Sequence, residues 1–143
     1  MRPPSQGRDA PPAYVAVVKA SYGRCCAAPD FFACFYRNFF KACPQAQPLF
    51  AKTNFERQHK LLQHAIGLLL VFPLQPSTDP PLLDRVAERH SRRDLGIDPK
   101  LNPAFVDSLI RTAGEHDPEF TADTEHAWRQ TVAPGVAYMV SRY

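Results

Sequence analysis

Apolar residues recur every three to four positions through most of the chain, and no segment alternates apolar and polar residues for long. The first pattern is typical of helices with one buried face, whereas alternation would indicate half-buried strands. Most of the 15 prolines lie near the ends of the periodic segments, where proline starts or stops a helix. The pattern therefore predicts an all-α protein with helices over about 13–26, 29–43, 55–72, 80–90, 103–115 and 122–142.

The ends and faces of these helices can also be predicted. Thr53 and Glu56 have the spacing of a capping box, and Asp79 is placed to cap the helix that ends at His90. The predicted buried face of the first helix consists of Tyr14, Val17, Val18, Ser21 and Tyr22. That of the long third helix consists of Phe55, Gln58, His59, Leu62, Ala65, Ile66 and Leu69.

Length and composition indicate one globular domain. The chain has 143 residues, of which 45% are hydrophobic and 22% charged, with a net charge of +3. We expect a flexible tail over residues 1–12 and a single domain over 13–143. The positive charges are interleaved with acidic residues, which does not favour nucleic-acid binding.

The sequence also bears on compartment and thiol chemistry. No signal peptide is evident, and the longest apolar run, residues 66–72, is too short to span a bilayer. We therefore expect a cytoplasmic protein without membrane association. Its cysteines (Cys25, Cys26, Cys34 and Cys43) lack C-x-x-C spacing, so we expect free thiols, mostly in the core, and no zinc site.

Two polar residues on apolar helix faces suggest a binding site. His90 follows Leu83, Val86 and Ala87 at helical intervals, and Gln58 lies on the buried face of the third helix. A buried imidazole requires a partner, which could be a carbonyl, an acid or a ligand. If the two helices pack side by side, Gln58 and His90 can face each other across a slot that suits a flat apolar ligand with a metal centre, such as haem.

Several short motifs, taken in order, resemble the bacterial single-domain globins, the haem domains of flavohaemoglobins and globin sensor domains. "FYRNFF" places Tyr36 at the distal tyrosine of that family, and "PQAQPLF" ends at Phe50, which matches the phenylalanine that packs on the haem. "RQHKLL" supplies Gln58 as distal glutamine with Leu62 one turn further on. "AERH" supplies His90 as proximal histidine, and "EHAWRQTVAPGVAYM" resembles the final helix.

The resemblance implies a globin fold of six to eight helices around a haem pocket that holds haem b (iron protoporphyrin IX). His90 would ligate the iron, with its other nitrogen held by the Val86 carbonyl. Tyr36 and Gln58 would donate hydrogen bonds to dioxygen, carbon monoxide or nitric oxide. Phe50 and Leu62 would exclude water. Arg57 and Arg89 are candidates for contacts with the haem propionates.

One departure from the family pattern affects the expected chemistry. The relatives usually carry a tyrosine and a glutamate that hydrogen-bond the proximal histidine, whereas Asn102 and Tyr143 match those positions here. Without the carboxylate, the imidazole is expected to have less anionic character. This disfavours enzymatic turnover, and 143 residues leave no room for a reductase domain as well.

The sequence leaves several functions open. The favoured one is reversible gas binding, as an oxygen sensor with a transmitter partner or as a carrier or scavenger. The alternatives are nitric oxide dioxygenase or peroxidase-type activity with a separate reductase, and a bis-histidine protein in which His59 also ligates iron, His64 being on the outer face. A fold that has lost haem and serves as an interaction module is a further alternative. A homodimer formed through the last two helices is compatible with each.

Overall fold

The computed structural model describes residues 12–74, 83–91 and 98–143, and within these ranges all regular elements are helical. The α-helices are α1 (Ala13–Cys26), α2 (Phe31–Ala42), α3 (Phe55–Val71), α4 (Asp84–His90), α5 (Asn102–His116) and α6 (Ala122–Ser141). Short 3₁₀ segments cover Pro44–Phe50, Phe72–Leu74 and Pro99–Leu101. The all-α prediction is confirmed. Most of the predicted tail and the predicted cap at Asp79 lie outside the described residues.

The helices pack in two principal pairs around one core. The most extensive contacts join α2 to α5 and α1 to α6, while α3 and α4 both contact α6. The largest completely buried side chains are Trp128, Phe31, Phe35, Ile66, Leu83 and Leu109. Because α6 contacts both α3 and α4, it connects the two helices on which Gln58 and His90 lie.

A buried polar network joins α1 to α6 and to the residue that follows α5. The Trp128 indole donates to the Ser21 hydroxyl at 3.0 Å, and that hydroxyl donates to Asp117 at 2.6 Å. The Arg24 guanidinium contacts the same carboxylate at 2.5 and 3.1 Å. Hydrogen bonding to Arg24 holds the pKa of Asp117 at about 2. Trp128 is therefore a core residue whose polar edge is satisfied.

Two sequence predictions about helix ends and faces are wrong. The residue that caps α3 is Asn54, whose extended backbone lets its side chain accept from the Arg57 amide at 3.2 Å, rather than Thr53. In α1, Val17 is 42% exposed. The buried residues of α1 are Val15, Val18, Ser21 and Cys25. They follow one another at intervals of three or four residues, so the buried face is narrower than the predicted one.

Gly135 permits α6 to approach α3 and α4 closely. A Cβ atom at this position would lie 2.7 Å from a methyl group of Leu69 and 3.2 Å from one of Leu83. Both leucines are buried, so the missing side chain leaves the space that their methyl groups fill. The contact fixes the position of α4, the helix that ends at His90.

Within the parts of the chain that the structure describes, no helix is both long and apolar enough to cross a membrane.

Candidate functional site

Tyr36 lies at the centre of an aromatic cluster formed by α2, the Pro44–Phe50 segment and the start of α3. Its side chain is 5% exposed, and its ring centroid lies 5.5 Å from that of Phe50, 5.4 Å from Phe55 and 5.8 Å from Phe40. The cluster forms because aromatic residues on the inner face of α2 meet those of the next two segments. It leaves the phenol hydroxyl as a polar group in apolar surroundings.

Among the residues that the structure describes, the Tyr36 hydroxyl has one hydrogen-bond partner, the side chain of Gln58. The Gln58 amide nitrogen donates to the Tyr36 oxygen at 2.9 Å. Burial raises the pKa of Tyr36 to about 12, although the hydrogen bond with Gln58 acts in the opposite direction. The phenol is therefore protonated at neutral pH, and its own hydrogen remains available to a further acceptor. The structure thus brings together two residues that the sequence places 22 positions apart.

Two apolar residues predicted for this site, Leu62 and Phe50, lie on the segments that carry or adjoin the Tyr36–Gln58 pair. Leu62 is buried, 6% exposed, one helical turn after Gln58 on α3. Phe50 is half-buried and packs against Tyr36 and Phe40. These side chains supply apolar surface beside the Tyr36–Gln58 pair.

The two histidines of α3 differ in their surroundings. The ring of His59 is half-buried and stacks on Tyr36 at 5.8 Å with an interplanar angle of 15°, and it also contacts Phe32 at 6.3 Å. His64 is exposed, as expected for the outer face of the helix. His59 is therefore part of the Tyr36 cluster, whereas His64 lies outside it.

His90 is the last residue of α4, and a contact within its own helix fixes the orientation of its ring. Its Nδ1 lies 2.8 Å from the Val86 carbonyl oxygen. Because a carbonyl can only accept, Nδ1 carries a proton, and in the neutral ring the lone pair is therefore on Nε2. That tautomer is the one in which histidine ligates a metal, with the second nitrogen bound to a backbone carbonyl.

Side chains that the sequence did not single out hold α4 against α6. Tyr138 donates to Asp84 at 2.5 Å, and Arg142 contacts Asp84 at 3.4 Å and Glu88 at 3.2 Å. The hydrogen bond to Asp84 raises the pKa of Tyr138. Tyr138 and Glu88 lie within the final-helix and AERH motifs, but those motifs assign neither of them a role. An acid in the first turn of a short helix is a recognisable signal of electrostatic stabilisation. They position His90 indirectly.

The remaining predicted contacts concern the periphery of the site. Arg57 and Arg89 are both exposed. Asn102 is half-buried at the start of α5, and Tyr143 is half-buried at the end of the chain. A cavity of about 500 Å³ lies between the start of α5 and α6. Its lining includes none of the residues predicted to contact haem.

Comparison with known proteins identifies the family. A sequence model of the Globin family matches residues 33–139. This chain belongs to the globin family. A crystal structure of the protein PA3967 from Pseudomonas aeruginosa PAO1, described as structurally highly homologous to a human haemoglobin, is 36% identical, with a TM-score of 0.85. The similarity covers 91% of this chain and 98% of that one. A comparison with curated proteins gave no match.

Membership confirms the globin fold that the resemblance implied, and it makes the protein a bacterial-type single-domain, haem-binding globin. The residues present fit that cofactor. His90 has the tautomer of an iron ligand, Phe50 and Leu62 provide apolar surface, and the Tyr36–Gln58 pair provides donors.

Proposed function

We propose that this globin reversibly binds dioxygen and other diatomic gases, with His90 as the iron ligand and Tyr36 and Gln58 as the residues that contact the gas. The observation that carries the proposal is the hydrogen bond from Gln58 to Tyr36. Because Gln58 is the donor in this bond, the hydrogen of the buried phenol is available to a bound gas. The haem type is proposed to be b.

His90 is proposed to hold the cofactor through Nε2. The hydrogen bond from its Nδ1 to Val86 fixes the tautomer and orientation, so no proton has to leave when the ligand bond forms. When bound, haem supplies an iron atom with one coordination position open to a diatomic gas. A carbonyl partner donates less electron density to the imidazole than a carboxylate does, which favours reversible binding over oxidative turnover.

Tyr36 and Gln58 are proposed to determine which gas is retained. Dioxygen in such a pocket accepts hydrogen bonds better than carbon monoxide does, because it acquires more negative charge. A neutral hydrogen bond contributes about 1 kcal/mol in a protein, and more in apolar surroundings. Gln58 also orients the phenol by donating to its oxygen.

Phe50 and Leu62 are proposed to exclude water from this part of the pocket. Both are apolar and lie on the segments that carry or adjoin Gln58 and Tyr36. Exclusion of water strengthens the hydrogen bonds that the two donors make and slows oxidation of the iron. Arg57 and Arg89 are proposed to interact with the propionates at the exposed edge.

His59 is proposed to orient Tyr36 rather than to act as a second iron ligand. Its ring stacks on Tyr36 and contacts Phe32 and Phe55, and ligation would require it to leave these contacts. The bis-histidine alternative predicts a six-coordinate ferrous spectrum that the His59→Ala variant loses.

The experiment that tests this function is oxygen binding by the ferrous protein, followed through cycles of oxygenation and deoxygenation. We expect the oxygenated spectrum to form and disappear repeatedly without conversion to the ferric form. Rapid oxidation in each cycle, or steady turnover of nitric oxide or peroxide with a reductant at enzymatic rates, would replace this proposal by the enzymatic one. Four further points stay predictions. They are a role as sensor or carrier, a cytoplasmic location, a homodimer, and a transmitter or reductase partner.

A further inference from the structure

Three metal-ligating side chains meet where the start of α2 adjoins the end of α5. Asp30 precedes α2, Cys34 lies one turn into it, and His116 is the last residue of α5. The Cys34 sulfur lies 3.6 Å from Asp30 Oδ2, and His116 Nε2 lies 3.4 Å from Asp30 Oδ1. The three donor atoms all lie within 4.8 Å of one another. Asp30 is four residues from Cys34 in the sequence, whereas His116 is brought beside it only by the fold.

These separations suit a tetrahedral zinc ion. Zinc bonds of about 2.3 Å to sulfur and about 2.1 Å to nitrogen and oxygen place sulfur and oxygen about 3.6 Å apart and nitrogen and oxygen about 3.4 Å apart. The observed distances to Asp30 equal these values, although they involve its two different oxygens. The Asp30 side chain is 66% exposed, so its carboxylate can rotate to present one oxygen to the ion.

The His116 ring is prepared for a cation in a way that is independent of these distances. Its Nδ1 lies 2.9 Å from the Thr112 carbonyl oxygen, which fixes the proton on Nδ1. Nε2 lies 3.4 Å from Asp30 Oδ1, so in the neutral ring its lone pair and the carboxylate can bind the same cation. The His116 side chain is only 12% exposed, and Phe31 contacts its ring edge-on at 5.5 Å. A metal-ligating histidine commonly has such a carbonyl partner.

We propose that Asp30, Cys34 and His116 form a zinc site with a fourth position open to water. Zinc binds cysteine as the thiolate, so the hydrogen that the Cys34 thiol directs at Asp30 Oδ2 leaves to solvent when the ion binds. Arg37 also donates to the Cys34 sulfur, at 2.7 Å. The site shares no residue with the proposed haem pocket and does not depend on the proposed function.

Zinc at this position ties the start of α2 to the end of α5, the helix pair with the most extensive contacts. An ion that binds only the folded chain stabilises it. Zinc is therefore expected to raise the midpoint of thermal unfolding, and the effect is expected to require all three ligands.

The test is equilibrium dialysis of the 143-residue protein, with its haem, against Zn²⁺ after removal of loosely bound metals by a chelator. Zinc per chain is measured by mass spectrometry, with iron counted separately. We expect one zinc ion per wild-type chain and more than tenfold weaker binding in Cys34→Ser, His116→Gln and Asp30→Asn. The Asp30 variant changes an exposed side chain, so it keeps the test valid if His116→Gln disturbs folding.

Matched controls separate this site from other thiols and imidazoles. Cys26→Ser and His126→Gln replace a half-buried cysteine and an exposed histidine outside the cluster, and both are expected to bind zinc as the wild type does. Zinc is also expected to slow alkylation of Cys34, but not of Cys26, as measured by peptide mass spectrometry. Absence of bound zinc, or equal binding by the ligand variants and the wild type, would overturn the proposal.

Discussion

The side-chain amide of Gln58 donates a 2.9 Å hydrogen bond to the phenol oxygen of Tyr36. Among the described residues, none accepts the hydrogen of that phenol in return. The pair is enclosed by aromatic side chains, of which Phe50 and Phe55 lie within 5.5 Å of the Tyr36 ring. The phenol hydrogen therefore remains available to a ligand that can accept a hydrogen bond.

Replacing Tyr36 by phenylalanine should release dioxygen faster. Loss of one neutral hydrogen bond of about 1 kcal/mol corresponds to about a fivefold increase in the dissociation rate constant, whereas carbon monoxide release should change much less. Gln58→Leu should act in the same direction. The measurement is stopped-flow displacement of each gas from the ferrous protein.

The matched control for this series is Tyr14→Phe, which removes a hydroxyl from a half-buried tyrosine on α1, outside the Tyr36–Gln58 pair. It should leave both rate constants unchanged. If Tyr36→Phe releases the two gases with the same relative change, the phenol does not discriminate between them.

The phenol of Tyr36 should remain neutral in mildly alkaline solution. Burial raises its pKa to about 12, whereas exposed tyrosines ionise near pH 10. Folding favours the neutral phenol, so Tyr36 does not lower the free energy of unfolding below pH 10, the pKa of tyrosine in the unfolded chain. The free energy of unfolding then falls as pH rises from 10 toward 12. Phenolate absorbance in a pH titration should show one fewer late-ionising tyrosine in Tyr36→Phe. A wild-type titration identical to that of the variant would contradict this.

Asp117 should stabilise the fold through its contacts with Arg24 and Ser21. Hydrogen bonding to Arg24 holds the pKa of Asp117 at about 2, below the ordinary 3.8. Its contribution is therefore complete above pH 3.8 and is lost as pH falls through 2. Asp117→Asn should lower the free energy of unfolding by about 2 kcal/mol at neutral pH and weaken the pH dependence in this range.

Urea unfolding followed by circular dichroism measures both effects. The control is Asp107→Asn, which removes the exposed ion pair with Arg129 and should cost less than about 1 kcal/mol. Equal losses in the two variants would mean that burial adds nothing to the Asp117 contacts.

Gly135→Ala should destabilise the protein even though alanine favours helix. The new methyl group would meet buried Leu69 and Leu83 at 2.7 and 3.2 Å, and overpacking of this kind costs about 1 to 3 kcal/mol. Gly67→Ala is the matched control, because a Cβ there meets nothing within 4 Å and should stabilise by up to about 1 kcal/mol. Thermal unfolding distinguishes the two, and a gain in both variants would show that α6 can move away from α3 without cost.

Local patterns predicted the helices well because amphipathic periodicity and proline positions are local signals. The predicted helix over 13–26 coincides with α1, and the last predicted helix differs from α6 by one residue. The same reasoning missed the cap at Asn54, since Thr53 and Asn54 both suit that role and only the backbone path decides between them. It also placed Val17 on the buried face, whereas Val17 is exposed. Which face of a helix is buried depends on the elements that pack against it.

In the candidate site too, residues within local motifs could be predicted, whereas contacts between distant residues could not. Tyr36, Gln58 and His90 could be proposed from motif order and spacing. The contacts of Tyr138 and Arg142 with α4 could not, because they join residues more than 50 positions apart. Cys34 shows the limit most clearly, since its sequence spacing argues against zinc while the fold places it beside His116.

The most direct test of the central claim is the absorption spectrum of the ferrous protein compared with that of His90→Ala. The account predicts a five-coordinate ferrous spectrum in the wild type that changes on adding dioxygen or carbon monoxide. It further predicts that His90→Ala loses this spectrum and that His59→Ala keeps it. An unchanged spectrum in His90→Ala, or a wild type that takes up no haem, would contradict the assignment of His90 as the iron ligand.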